Sequence, residues 1–328
     1  MTTLPTICIG LPVFNGGSKL YNALDSLLSL DYPNYRIVVS DNDSSDDTSS
    51  ILKAYAAKNS HLELHCCPVG GVPSTENYNR VLRVSHGDYF MWASHNMLWD
   101  SSILRRCVES FQKHPNAVLV SPTCKILDGA SGRPLKIDPC INTSDLDPIA
   151  RVTRFLQSDL STCALFYGLM RRQSASEVPL RIIFGTDHVF LAELSFKGEF
   201  ITIPETLMSK YTGGTSTTWN TIAEAERITH RLKITYPWTA REYEMQKMIF
   251  CRTSINRKEQ LLISAISFFE FLKLTKAGRL TKHFKNDLIH HVFPLLFRYP
   301  KPFGTRNPII LPNWLVRFGK TSTHNPDK

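Results

Sequence analysis

Apolar residues over the first 120 positions follow two rhythms. Short, mostly apolar runs at 6–12, 35–40, 89–93 and 117–121 have the pattern of buried strands, and 62–66 reads as a further short strand. Between them the apolar positions spread to helical spacing. Leu20, Ala23, Leu24, Leu27 and Leu28 predict a helix to about Leu30, and Ile51, Leu52 and Tyr55 predict another beginning near Ser49. Further helices are predicted over 76–84 and 103–113. Strand and helix in alternation make an α/β fold with a mostly parallel sheet, and such sheets bind ligands at the carboxyl ends of their strands.

The polar segments that end those strands are therefore the first candidates for chemistry. After 89–93 and Ser94 come His95, Asn96 and Met97, which are expected to point into the site. After 35–40 comes the run from Asp41 to Thr48, crowded with short oxygen-bearing side chains. It reads either as an acidic cap for the next helix or as a place where Asp41 accepts hydrogen bonds from a base or ribose. The glycine-rich stretch 69–79 lacks both GxGxxG and the Walker lysine pattern, which argues against a dinucleotide fold and a P-loop enzyme. Residues 127–147 read as a loop-rich insertion, and Asp187 reads as the N-cap of a later helix.

Composition fits one large or two moderate domains: 328 residues, 42% of them hydrophobic. The eight cysteines show no CxxC pair and no metal spacing with histidine, as expected of reduced, mostly buried thiols. Residues 1–12 have no basic region ahead of an apolar core, so the expected location is cytoplasmic. The net charge of +9 is uneven: residues 221–328 carry 19 Lys+Arg against 8 Asp+Glu, and the rest of the chain 19 against 21. A division is expected there, with 1–220 holding the site and 221–328 forming a helical, basic region. Such a tail suits an anionic partner, a membrane face or nucleic acid, but it contains no recognisable nucleic-acid module. Segment 261–274 is too short and too polar to cross a bilayer, and like 293–301 it is either core-facing or interfacial.

Six segments in order, PVFNGG (12–17), SDNDSSDDT (40–48), the Asn77/Asn79 stretch, HGDYFMWAS (86–94), YGLMRR (167–172) and GTDHVFLAEL (185–194), resemble glycosyltransferase family 2 over about residues 5–215. The resemblance implies the GT-A fold, a Rossmann-like, mostly parallel sheet flanked by helices, here with a mainly helical C-terminal extension. It implies transfer of a sugar from a UDP- or GDP-type nucleotide sugar to an acceptor hydroxyl with inversion. The implied acceptor is a surface glycan or polysaccharide, lipid-linked if the basic tail meets the inner face of the membrane. By position, Pro12, Val13, Asn15 and Asp41 would hold base and ribose, Asn77 or Asn79 would line the same pocket, and Asp187 would be the general base.

One departure stands out. Where relatives carry an aspartate-rich DxD motif that holds Mg²⁺ or Mn²⁺, this chain has His95, Asn96 and Met97, with no carboxylate and a thioether unsuited to a hard cation. A threonine also stands in segment 210–214, where relatives often place a histidine. Two readings follow. Either side-chain cations stabilise the departing diphosphate, with Arg171, Arg172, Lys210, His95 or His188 as candidates, or the chain binds nucleotide or glycan as a scaffold without turnover.

Overall fold

The computed structural model describes residues 4–138, 141–158, 164–213, 219–229, 237–252 and 254–274. Its centre is a parallel quartet: β1 (Ile7–Val13), β2 (Tyr35–Asp41), β3 (Leu62–Cys66) and β4 (Tyr89–Trp92), in the order β3-β2-β1-β4. The crossovers are α1 (Lys19–Leu28), α2 (Thr48–Ala56) and α3 (Ser74–Val84), close to the predicted spans. Beyond β4 the sheet becomes mixed. A short β5 (Met97–Trp99) lies at the far edge, followed in sequence by α4 (Ile103–Lys113) and β6 (Ala117–Leu127). Strands β7 (Pro134–Asp138), β8 (Leu169–Arg171) and β9 (Glu199–Tyr211) complete it, in the order β4-β8-β6-β9-β5 with β7 paired to β6.

Alternation along the central strands divides the core in two. Ile7, Ile9, Leu11 and Val13 of β1, with Ile37, Val39 and Met91, face the side covered by α1, α2 and α4. Cys8, Val38, Phe90 and Trp92 face the other side, where α3, α5 (Pro148–Leu156) and α7 (Thr186–Lys197) pack; a short α6 (Arg172–Ser176) lies between those two in sequence. Gly10 marks the closest approach: a Cβ there would meet Val81 Cγ2 of α3 at 2.7 Å and Phe90 Cζ at 2.8 Å. Trp92 stacks on Phe166 at 4.4 Å and meets Phe190 of α7 edge-on at 5.1 Å, while its Nε1 donates to Tyr78 O at 3.2 Å. One buried aromatic thus ties β4 to α3 and α7 just below the strand's carboxyl end, each such side chain contributing about 1.5–3 kcal/mol.

The structure departs from the expectations in identifiable places. The segment read as an insertion contains β7, where Leu135 and Ile137 alternate with polar residues, although both are exposed at this edge. Asp187 is not an N-cap. Gly185 takes that position with φ +66°, and Asp187 is the second residue of α7.

The first compact unit ends at Phe268 and includes the helix Pro237–Phe250, whose Met245, Met248 and Ile249 join the core against α7. The second begins at Phe269, and only the end of the helix Arg257–Leu274 is described there. Among the described residues no helix is long and apolar enough to cross a membrane. Segment 293–301 and most of the basic tail lie outside the described residues.

Candidate functional site

The carboxyl ends of β1, β2 and β4 open onto one cleft of about 1100 Å³. Pro12 and Val13 end β1 at its floor, and Asn15 turns the chain with φ +47°. That turn is stapled to the loop after β2: Asn15 N donates to Ser44 Oγ at 2.9 Å, and Asn15 Oδ1 accepts from Ser45 N at 2.9 Å. Asp41 ends β2 but does not line the cleft. It is 4% exposed, and its Oδ1 is taken by Ser44 N at 3.1 Å and Ser44 Oγ at 2.6 Å. Asp41 Oδ1 holds the turn through Ser44, and the structure gives the carboxylate no place among the residues that line the cleft. The two residues after it, Asn42 and Asp43, line the cleft instead.

Asn42 also fixes the glycine-rich loop that follows β3. Its Nδ2 donates to Val72 O at 2.9 Å and its Oδ1 accepts from Val72 N at 2.8 Å, while Gly70 N donates to Asp43 Oδ2 at 2.7 Å. Asn77 lines the floor, 3% exposed, with its Nδ2 on Ser40 O at 3.0 Å. Asn79, two residues along α3, faces elsewhere. Its amide exchanges hydrogen bonds with Leu180, donating to the carbonyl at 3.0 Å and accepting from the N–H at 3.1 Å, so it is a structural clasp.

Beyond β4, His95 and Asn96 line the cleft and Met97 does not. Met97 is wholly buried, because β5 begins there and pairs it with Lys210 of β9. Asn96 Oδ1 accepts from Ser94 Oγ at 2.7 Å, and its Nδ2 donates to Tyr211 O at 3.4 Å. Burial, with the Lys19 charge adding to it and Asp46 opposing, holds the His95 imidazole below 6.5. At pH 7 it is a neutral hydrogen-bonding group and not a cation.

The opposite wall carries Asp187, Tyr78, Tyr167 and Lys210. Lys210 Nζ sits 5.2 Å from the centre of the Tyr167 ring, a cation–π contact that fixes its place. Burial first, then Tyr167, raise the Tyr78 phenol well above 10; Asp187 adds to this and Lys210 opposes it. The phenol therefore stays a proton donor beside the Asp187 carboxylate.

Arg171 and Arg172 are not at the site. Strand β8 runs antiparallel to β4 and pairs Arg171 with Tyr89, at the strand end away from the cleft. There Arg171 donates to Ala117 O at 2.7 Å and Pro115 O at 2.9 Å, and Arg172 Nε donates to Gly87 O at 3.2 Å. His188 follows Asp187 but is turned toward the helix Pro237–Phe250, its Nδ1 accepting from Arg241 at 3.1 Å. Of the five expected cations, Lys210 and His95 line the cleft, and burial favours the neutral form of the His95 imidazole.

The residues present do not fit Mg²⁺ or Mn²⁺. Among the described residues no three His, Cys, Asp or Glu come together as a metal site, and the groups at the rim of β4 are an imidazole and an amide already engaged with Ser94 and Tyr211. A hard divalent ion takes several oxygen ligands, carboxylates foremost.

Several cleft residues were not singled out from sequence: Asn42, Asp43, Tyr78, Tyr167 and Arg227. Tyr167 opens the segment 167–172, whose arginine pair carries the more conspicuous charge. Gly70 and Gly71 carried the positive-φ signal of a special loop, with φ +84° and +64°. Arg227 had no local signal at all.

The family model described as Glycosyl transferase family 2 matches residues 8–178. An uncharacterized glycosyltransferase of Rickettsia typhi is 30% identical over 115 residues, 35% of this chain and 35% of that protein. Another, of Rickettsia felis, is 28% identical over 148 residues, 44% of this chain and 24% of its own length. The chain thus spans about a third or less of these relatives. Among solved structures, residues 1–349 of S. aureus TarS, known in complex with UDP and with UDP-GlcNAc, give a TM-score of 0.63 at 12% identity over 87% of this chain and 78% of that one. The mannosyltransferase PcManGT from Pyrobaculum calidifontis, in complex with GDP-Man and Mn²⁺, gives 0.51 at 12% identity over 90% and 82%. At such identity these likenesses establish the fold, GT-A.

Proposed function

Since the chain belongs to glycosyl transferase family 2, we propose that it transfers a sugar from a nucleotide diphosphate sugar to an acceptor hydroxyl with inversion. The observation that carries this reading is the single cleft that gathers Val13, Asn15, Asn42 and Asp43 at one part and Asp187 and Lys210 at another, from segments almost 200 residues apart in sequence. The nucleoside is assigned to the turn after β1 and the loop after β2, where amide and carboxylate groups offer hydrogen bonds. Asp187 is assigned as general base. It takes the acceptor hydroxyl's proton as the oxygen attacks the anomeric carbon, while the bond from that carbon to the diphosphate oxygen breaks on the opposite face, hence inversion. Lys210 supplies fixed positive charge for the leaving diphosphate, and Tyr78 and His95 are neutral hydrogen-bonding groups beside it.

The acceptor is assigned to the glycan class, lipid-linked where the basic region meets a membrane. The test is purified protein with a panel of UDP and GDP sugars, with and without Mn²⁺, read for transfer and for slow donor hydrolysis. Transfer that falls about 10²–10⁴-fold in Asp187→Asn supports the reading. Binding of nucleotide with neither transfer nor hydrolysis assigns the chain to the scaffold reading, which the missing carboxylates at His95 and Asn96 favour. No binding and no turnover refutes the transferase reading and any nucleotide-binding scaffold.

A further inference from the structure

One wall of the cleft is built by a segment distant in sequence, the helix α8 (Trp219–Ala225) and the turn after it, which contribute Thr221, Glu224, Ala225 and Arg227. Between the last two stands Glu226, 8% exposed, whose carboxylate is buried against the first turn of α3. Its two oxygens accept from Thr75 N at 3.1 and 3.0 Å, and one accepts from Thr75 Oγ1 at 2.8 Å. Helix α3 has Pro73 at its N-cap and no side-chain cap hydrogen bond of its own. The N–H groups at such an end attract an anion, and here the protein supplies one from 151 residues away. Burial raises the Glu226 carboxyl above 4.5, with the Thr75 bonds opposing.

What this anchor holds in place is Arg227. Its backbone is in the left-handed region at φ +50°, its N–H donates to Glu224 O at 3.0 Å, and its guanidinium donates to Gly70 O on the far side of the cleft's loop. Among the described residues lining the cleft, the full cations are Lys210 and Arg227, against the carboxylates Asp43, Asp187 and Glu224. A diphosphate entering that balance, with no carboxylate set fit for a divalent ion, needs both. The planar fork of a guanidinium suits phosphate oxygens better than any other group present.

We propose that Arg227 contacts the diphosphate of the bound nucleotide and that Glu226, through Thr75, is the positioning residue that keeps it in the cleft wall. The proposal rests on the nucleotide-sugar reading above. Its test is calorimetry of the full chain without added metal, titrating UDP, GDP, uridine and guanosine into wild type, Arg227→Met, Glu226→Ala, Glu226→Gln and the Arg227→Met/Glu226→Ala double variant, with melting curves as a check on folding. Expected are a loss of about tenfold or more in diphosphate affinity for Arg227→Met and Glu226→Ala, unchanged nucleoside affinity, a smaller loss in Glu226→Gln, and a double variant no weaker than the weaker single one. Unchanged diphosphate affinity in Arg227→Met overturns the proposal, as does an equal loss for nucleosides. Tighter binding by Glu226→Ala also overturns it, showing that Glu226 instead occupies a place meant for the ligand. If wild type binds none of the four, the nucleotide-sugar reading itself fails.

Discussion

Gly70 and Gly71 are adjacent, both left-handed, and differ in what surrounds them, so alanine at each separates backbone strain from displacement of the cleft loop. At Gly70, φ +84°, a Cβ would meet nothing within 4 Å. Its replacement costs only the left-handed conformation, about 1–2 kcal/mol. At Gly71, φ +64°, a Cβ would lie 2.8 Å from Asn42 O and 3.1 Å from Asn42 Oδ1. Backbone at the end of β2 cannot yield, so the loop must move, and the two Asn42–Val72 hydrogen bonds of 2.9 and 2.8 Å are its moorings. Losing both adds about 2 kcal/mol to the same strain, for about 3–4 kcal/mol in all. Because the loop is a cleft wall, much of that cost is expected as lost nucleotide affinity and not only as lost fold stability. The assay pairs urea denaturation midpoints with UDP and GDP calorimetry on both variants. Gly71→Ala is expected to bind nucleotide at least tenfold more weakly than Gly70→Ala. Equal affinities in the two variants would refute the placement of the nucleotide beside Asn42 and Asp43.

Three further outcomes follow from the same geometry. Arg171→Met loses hydrogen bonds to Ala117 O and Pro115 O and a place over the Phe111 ring; it should destabilise the fold by about 1–3 kcal/mol with nucleotide affinity intact, measured by denaturation and calorimetry. Lys210→Met should lower kcat about 10²–10³-fold, and steady-state rates should show that Mn²⁺ does not restore it. Burial raises the Glu242 carboxyl above its ordinary 4.5, against Arg241, Gln246 and Ser267. Its contribution to stability is therefore full below pH 4.5 and lost as pH rises through the raised folded value; melting temperatures from pH 5 to 8 should decline less steeply in Glu242→Gln than in wild type.

The layout of the site was legible wherever the signal was local. Strands buried on both faces read as mostly apolar runs, so β1, β2 and β4 could be read directly, β3 by its alternation of Leu62 and Leu64 with polar residues, and the polar residues that end them had to lie along one edge. Pro12, Val13, Asn15, His95 and Asn96 reached the cleft for that reason. Orientation within those segments was not legible. Asp41 and Asn42 are neighbours, and which one faces outward depends on Ser44 claiming the first. Asn77 and Asn79 sit on one helix, but the rotation of α3 against β1 sends the second to Leu180. The Arg171–Arg172 pair looks like a phosphate site in isolation and is placed at the wrong end of the sheet by the antiparallel pairing of β8 with β4.

The amino-acid order alone determined the α/β alternation, the end of the sheet that would carry the site, and the absence of a carboxylate at His95, Asn96 and Met97, since each depends only on residue type and spacing. Tertiary structure decided which side chains meet. Met97 is buried in the core where β5 begins, and the long β9 carries Lys210 to the cleft. Glu226 found the N-terminus of α3 and brought Arg227 with it. Contacts between residues so far apart have no local pattern to announce them, because the free energy that selects them is available only after the sheet and its helices have packed.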